Sequence, residues 1–338
     1  MRPLGLRDLN RALLARQLLL DRKRTSVTRA VTRLVAMQAQ YALSPYVALW
    51  SRVDGFRKDQ LTRALAHGAI VKGVMMRATL HVTTAADFPF VVSAHIESQR
   101  GRVAGLGTDR DALAAALPDR PLDARELFAI AGDVLGTTDR WTIAFTLRAM
   151  PFVRTAPIGD WPHNKVSPSV LWREALPTPG EAAIRVVQAY LAGYGPASRA
   201  DVEQFTGFRV AQIEPALEGL PTHEADDGRT LYDVPRGELP PADTRVPVRF
   251  LPPFDSIILA HRDRSRILPD EYRETVIRRK NATTLATFTV DGFVAGSWKV
   301  ERARGAAKLT VEPFAPIPRG VRKELDAEGE RLVAFYES

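Results

Sequence analysis

The sequence predicts an α+β protein in which blocks of helix are each followed by a short β-hairpin, with a mostly antiparallel β unit at the C-terminal end. Two observations carry this. Apolar residues recur at helical spacing in successive blocks, and after each block the period switches to two around a turn. Beyond a Pro-rich linker from Pro235 to Pro247 the helical period gives way to strands. The chain has 338 residues, 45% hydrophobic and 25% charged, the composition of a globular protein of two or three domains.

The elements follow in order. Leu6 to Arg22 reads as a helix with Leu13, Leu14, Leu18 and Leu19 on one side, and Ser26 opens a second with Val27, Ala30, Val31, Leu34 and Val35 inward. Ser44-Pro45 starts a short helix, since proline suits a first helical turn. Lys58 to His67 is another, and Ile70–Met76 with Thr79–Thr83 form a hairpin. Helices followed by a two-stranded hairpin are the layout of a winged helix. The pattern recurs with helices over Leu122–Val134 and Thr138–Met150 and a strand at Phe152–Ala156. It recurs most clearly from Glu181 to Val234, with Ser198 as a cap, Gly207 in the turn, a helix from Val210 to Leu217 and a hairpin tipped by Asp227-Gly228. Three units result, 1–118, 119–180 and 181–240, followed by the β unit 241–338. In that unit Val248–Leu251, Ser256–Ala260, Leu285–Val290, Phe293–Val300 and Lys308–Glu312 read as strands, Asp291-Gly292 as a hairpin turn, and Pro318–Tyr336 as a closing helix.

Composition excludes several classes. No apolar run approaches the roughly 20 residues that span a bilayer, and the N-terminal residues lack a signal-peptide core, so no membrane partner and a cytoplasmic location are expected. There is no cysteine, and the six histidines never stand four apart, so neither a disulfide nor a metal site is expected. No GxGxxG, GxxxxGK[ST] or GxSxG motif occurs, and no cofactor is expected. The net charge is +8 and the sequence pI about 9.9. Residues 1–120 carry 19 basic and 9 acidic residues, net +10; 121–240 are net −5; 241–338 are net +3. A basic balance of this size is an electrostatic footprint of nucleic-acid binding, or of an arginine-rich composition that does not by itself account for the segregation. The plain reading is a transcription regulator with a recognition helix in the major groove. Three units exceed what a regulator needs, and no sensor domain is recognisable.

One stretch stands apart. Leu34-Val35-Ala36-Met37-Gln38-Ala39-Gln40 closes an apolar helical run with two glutamines either side of a small residue. Alone, such a pair is a polar helix end. Together with Arg77-Ala78-Thr79-Leu80-His81-Val82-Thr83 and Asp87, Tyr194-Gly195-Pro196-Ala197 and Asp201, Leu251-Pro252-Pro253-Phe254-Asp255, His261-Arg262-Asp263-Arg264, Ile267-Leu268-Pro269, and Asp291-Gly292 with Trp298, it resembles the QΦQ motif and its surroundings in the AlkZ/YcaQ family of bacterial winged-helix DNA glycosylases. The matching stretches span nearly the whole chain in the family's order.

The resemblance implies three tandem winged helices and a β-barrel-like C-terminal part, C-shaped around duplex DNA. It implies a monofunctional glycosylase, expected monomeric and nucleoid-associated, acting on double-stranded DNA with bulky alkylated purines. The contexts it implies are repair, crosslink unhooking, or self-resistance to an alkylating natural product. The catalytic positions carry over to Gln38 and Gln40; some relatives have Asp at the second, where this chain has Gln. The chemistry is consistent from below. An N7- or N3-alkylated purine already carries positive charge and leaves without an acid. Two carboxamides, each both donor and acceptor, can orient a water at C1′ but cannot deprotonate it. The rival is a winged-helix DNA-binding protein without catalysis. Arg77, Thr79 and His81 share a strand face by period two and are assigned to the lesion pocket, with a core histidine as the other reading of His81. Arg262, Arg264 and Arg266 alternate, so a strand would align all three for phosphate contact or as a solvated basic edge. Trp161, beside His163 in a polar loop, is the tryptophan expected to be exposed, and both are assigned to DNA contact; the other four are expected in the core.

Overall fold

The computed structural model describes residues 2–156, 161, 167–278, 280, 282–303 and 306–338. The first unit runs α1 (Leu6–Arg16), α2 (Val27–Arg33), β1 (Met37–Gln38), α3 (Ser44–Arg52), α4 (Lys58–Ala66), β2 (Ile70–Met75) and β3 (Thr79–Thr84). Two helices follow, α5 (Phe88–Ala104) and α6 (Arg110–Ala116). α5 escapes periodicity because its apolar residues crowd the first two turns instead of forming a stripe. α1 is shorter than expected: Leu18 takes a left-handed φ of +58°, which turns the chain before Leu19 is buried. In the second unit Asp123 and Asp139 cap α7 (Ala124–Leu135) and α8 (Arg140–Arg148) through the backbone N–H groups of the first turn. Strands β4 (Phe152–Arg154) and β5 (Ser169–Leu171) come next.

The hairpins of these two regions share one antiparallel sheet, β1-β3-β2-β4-β5. The join is Gly73 opposite Val153. A Cβ on Gly73 would lie 2.6 Å from the Phe152 carbonyl oxygen, so only glycine allows the strands to close there. Alternation puts Met37, Ile70 and Val82 into one core with α2–α4, and Val71, Met75 and Val153 into another with α5.

The third unit matches its sequence reading closely: α9 (Pro179–Tyr194), α10 (Arg199–Thr206) capped by Ser198, Gly207 with φ +76°, α11 (Val210–Leu217), and the hairpin β6 (Thr222–Glu224) with β7 (Thr230–Tyr232). The C-terminal unit departs further. β8 (Arg249–Leu251) is followed by a short helix α12 (Ser256–Leu259) where a strand was expected, because Phe254 takes a φ of +59° and Asp255 then caps Ile257 N. The stretch 261–268 holds no strand, so Arg262, Arg264 and Arg266 do not share a strand face. After α13 (Arg273–Val276), β9 (Ile277–Arg278) and β10 (Thr283–Thr284) come β11 (Thr287–Val290), β12 (Phe293–Ala303), β13 (Ala306–Pro313) and α14 (Arg319–Glu337). Sheet order is β13-β12-β11-β8. No sheet among the described residues closes into a barrel: β8 and β13 are open edges here, and α14 packs across both. The Asp291-Gly292 turn docks on α1, where Asp291 bonds Arg7 at 2.7 Å and Arg11 at 2.5 Å. Gly292 combines a φ of +85° with a site where a Cβ would meet Asn10 Oδ1 at 2.5 Å.

No helix among the described residues is long and apolar enough to cross a membrane, and no group of His, Asp and Glu among them could hold a metal. His95 is fully buried against the Arg148 carbonyl, and two further histidines are core residues: His81 Nδ1 lies 2.9 Å from the Thr79 carbonyl oxygen and His261 Nε2 3.0 Å from that of Tyr194. Burial, aided by the Arg77 charge at His81 and the Arg266 charge at His261, pushes both down to about 3. The unfolded chain therefore binds more protons than the folded one below about pH 6.5. Their stabilising contribution is complete above that pH and is lost as pH falls toward 3. Urea unfolding should show a loss of roughly 2–4 kcal/mol between pH 7.5 and 5.0, and His81→Gln or His261→Gln should each reduce it. An unchanged pH difference in both variants would contradict the assignment.

Candidate active site

Gln38 ends a two-residue strand, and Ala39 and Gln40 follow it, so the stretch does not close a helix. α2 stops at Arg33, and Val35 turns the chain with a φ of +65°, a strained conformation for a β-branched residue. The surroundings hold it there: Val35 is buried, and its carbonyl accepts from Thr83 Oγ1 at 2.8 Å. β1 then pairs with β3, Met37 opposite Val82 and Gln38 opposite His81, and Ala39 N donates to the Leu80 carbonyl at 2.8 Å. Met37 and Ala39 face the core.

Gln38 is 8% exposed and lines a narrow crevice with Gln17, Arg52, Tyr194, Phe254, Asp255 and Ser256. The crevice offers ≈ 10 Å³ to water centres, about the room of one water. Its floor is an ion pair: Arg52 donates through Nη1 and Nη2 to both Asp255 oxygens at 2.9 and 2.8 Å, with both side chains almost fully buried. Tyr194 donates its hydroxyl to the Leu34 carbonyl at 3.0 Å, and burial raises its pKa well above the usual phenol range. Gln17 Nε2 donates to the Gly193 carbonyl at 2.7 Å. Two buried atoms of this set have no hydrogen-bond partner among the described residues, the acceptor Gln17 Oε1 and the donor Arg52 Nε. The Gln38 carboxamide makes none either. Gln40 is exposed, and its Oε1 accepts from Leu80 N at 3.4 Å. Next to it Tyr41, 41% exposed, stacks on Phe254 with centroids 5.6 Å apart.

The remaining expected site residues scatter. Arg77 is not on the strand: with a φ of +57° it sits in the turn before β3, where its Nη1 donates to the Phe205 carbonyl at 2.5 Å and its guanidinium lies 5.6 Å from the Phe205 ring. Burial lowers its pKa to about 10. Thr79 is half-buried and its hydroxyl donates to the Met76 carbonyl at 3.3 Å. His81 opposes Gln38 in the ladder but is held as a neutral core residue. Arg262 is exposed, with its backbone N–H bonded to Asp201 Oδ1 at 2.9 Å. Arg264 is half-buried, and Arg266 is buried against the Pro196 carbonyl at 2.9 Å and near Asp201, which removes it from any DNA surface. Trp161 is half-buried, not an exposed wedge: it packs on Tyr336 at 4.8 Å, Phe335 at 5.5 Å and Tyr46 at 5.7 Å, under Lys58 at 4.6 Å. The exposed tryptophan is Trp141, at 72%. His163 lies outside the described residues. Sequence reasoning missed Gln17 and Arg52, which carry no motif and stand on helices read only for their apolar faces.

The ion pair yields a stability prediction. Asp255→Ala strands the Arg52 charge and should cost about 3–5 kcal/mol in urea unfolding, whereas Arg52→Met/Asp255→Leu should recover most of that. A single variant as stable as wild type would contradict the buried pairing.

The geometry can be set against known proteins. Residues 31–335 match the family described as DNA glycosylase AlkZ-like. The fold matches the solved structure of Streptomyces sahachiroi DNA glycosylase AlkZ with a TM-score of 0.81, covering 99% of this chain and 97% of that one. At 21% sequence identity that likeness is one of fold. No curated protein matches. The match over nearly the whole chain bears out the resemblance first read from the QΦQ stretch: the protein belongs to the AlkZ-like DNA glycosylase family.

Proposed function

We propose that this protein is a monofunctional DNA glycosylase that hydrolyses the N-glycosidic bond of bulky cationic N7- and N3-alkylpurines in duplex DNA, with Gln38 and Gln40 as its catalytic residues. The observation that carries the reading is the chemistry around Gln38. Its carboxamide is buried, and the carboxylate lining its crevice has both oxygens committed to Arg52. His81, its ladder neighbour, is neutral and bonded to backbone. This set offers no ready proton donor for the leaving base and no free carboxylate to deprotonate water. What it offers is position. Gln38 Oε1 accepts one proton of a water, and the Gln40 amide, whose Oε1 is occupied by Leu80 N, donates to the water's oxygen. The free lone pair points at C1′, so that the C1′–O bond forms as the bond from C1′ to the base breaks, and the protonated hydroxyl that results passes its extra proton to bulk water. A leaving base that already carries positive charge departs as a neutral purine and needs no acid.

Two further features favour bulky, charged lesions. The crevice has no room for a purine, so the base stays outside it, and a large substituent or a crosslinked partner strand meets no wall. The exposed Tyr41 ring, backed by Phe254, offers an aromatic face beside Gln40 that suits a cationic base. In the first unit the order α2-β1-α3-α4-β2-β3 and in the third α9-α10-α11-β6-β7 support winged helices curved around duplex DNA. Exposed arginines of the first unit, such as Arg24, Arg57 and Arg63, whose surface pairs with Asp54 and Asp59 are weak, are suited to phosphate contact.

The test is base release from duplex DNA carrying N7-methylguanine, read as alkali-labile abasic sites. Wild type should release the base, and Gln38→Ala and Gln40→Ala should each slow it by about 10²-fold or more. Sequence-specific footprinting without base release would instead mark a non-catalytic DNA-binding protein.

A further inference from the structure

The crevice under Gln38 contains a donor and an acceptor that the protein leaves unmatched. Arg52 directs Nη1 and Nη2 to Asp255, and its Nε–H has no partner among the described residues. Gln17 spends its amide N–H on the Gly193 carbonyl, and its Oε1 has none. Both side chains are buried, at 1% and 0% exposure, and both line the crevice that Gln38 lines. A buried donor or acceptor left unsatisfied bears the full cost of its desolvation. The other polar groups of the crevice are committed: Tyr194 to the Leu34 carbonyl, Ser44 to the Pro253 carbonyl and Ser256 to the Ala36 carbonyl. The space open to water centres is ≈ 10 Å³, enough to seat one water.

We propose that one ordered water occupies this crevice, accepting from Arg52 Nε–H and donating to Gln17 Oε1, and that it fixes the carboxamide of Gln38. A buried water typically makes about three hydrogen bonds. The third partner is the Gln38 amide N–H, which donates to the water's second lone pair and leaves Gln38 Oε1 facing outward. Without such an anchor a glutamine amide is free to present either end. With it, the end that accepts from the nucleophilic water is set before substrate arrives, which is the preorganisation that positioning catalysis needs. Gln17 and Arg52 are thereby positioning residues for Gln38. This assignment of the outward Oε1 rests on the glycosylase reading above; the water itself does not.

The experiment is a high-resolution crystal structure of the wild-type protein and of Gln17→Met, with single-turnover base release on N7-methylguanine DNA for both. The expected wild-type structure shows one water within 2.7–3.2 Å of Arg52 Nε, Gln17 Oε1 and the Gln38 amide, and Gln38 in one conformer. In Gln17→Met the water is lost, Gln38 splits between conformers, and the maximal rate falls about tenfold while half-saturation is unchanged. A wild-type crevice without the water overturns the proposal. So does a Gln17→Met protein in which Gln38 keeps its conformer or the maximal rate is unchanged. If the wild type releases no base, the glycosylase reading fails, and the water and the Gln38 conformer still decide whether the anchor exists. Should Gln17→Met not fold, the wild-type crevice decides: one water there with Gln38 in a single conformer supports the proposal, and its absence or a split Gln38 overturns it.

Discussion

The Arg52–Asp255 ion pair is the constraint on which the site depends. It joins the C-terminal end of α3 to the start of α12, two segments 203 residues apart. Asp255 also caps α12 through Ile257 N, and Ser44 on α3 donates to the Pro253 carbonyl at 2.9 Å. Through these bonds the β8–α12 turn is pressed against the β1–α3 turn, and the crevice between them is where Gln38 points. A buried pair of this kind contributes little net stability over an apolar replacement of the same shape. What it supplies here is location: the bidentate geometry sets the two turns at one separation, and the crevice that results is the size of a water.

The same use of arginine changes the meaning of the charge map. Arg11, Arg16, Arg52, Arg249 and Arg266 are all buried, each bonded to carboxylates or backbone carbonyls. Arg16, for example, holds Asp233 through two hydrogen bonds of 2.6 and 2.8 Å and so ties α1 to the strand β7 side of the third unit. Part of the basic excess of residues 1–120 is thus internal fastening. The remainder lies at the surface, on side chains such as Arg24 and Arg57, which pair there with Asp54 and Asp59 in exposed, weak ion pairs that a phosphate can displace.

What was legible in the sequence follows from how local each signal is. The third unit was read almost residue by residue because its cap at Ser198, its left-handed Gly207 and its Asp227-Gly228 turn are each decided by neighbouring residues. The strand expected at Ser256–Ala260 became α12 because a positive φ at Phe254 and a cap from Asp255 outweigh a run of β-branched residues. Arg266 and His81 were assigned to DNA because charge and period are visible in sequence while burial is not. The Gln38-Ala39-Gln40 stretch stands out in sequence by its paired glutamines, but its element does not: Gln38 ends β1 instead of a helix. The ladder partner His81 lies 43 positions on, and only the fold brings them together. Gln17 carried no signal at all: a polar residue at the end of an apolar helix is ordinary until its acceptor is found unmatched beside Gln38.

The resulting picture separates two tasks. On the proposed reading the protein contributes placement, through a buried amide on a short strand whose surroundings hold no ready acid or base, and the lesion contributes the charge that weakens its own bond. The most direct measurement compares two duplexes alike in shape and different in charge, one with N3-methyladenine and one with the neutral 3-methyl-3-deazaadenine. The account predicts single-turnover release of the cationic base and no measurable release of the neutral one above the rate in buffer. Release of both at comparable rates would show that the enzyme protonates its leaving group, and would contradict catalysis by position alone.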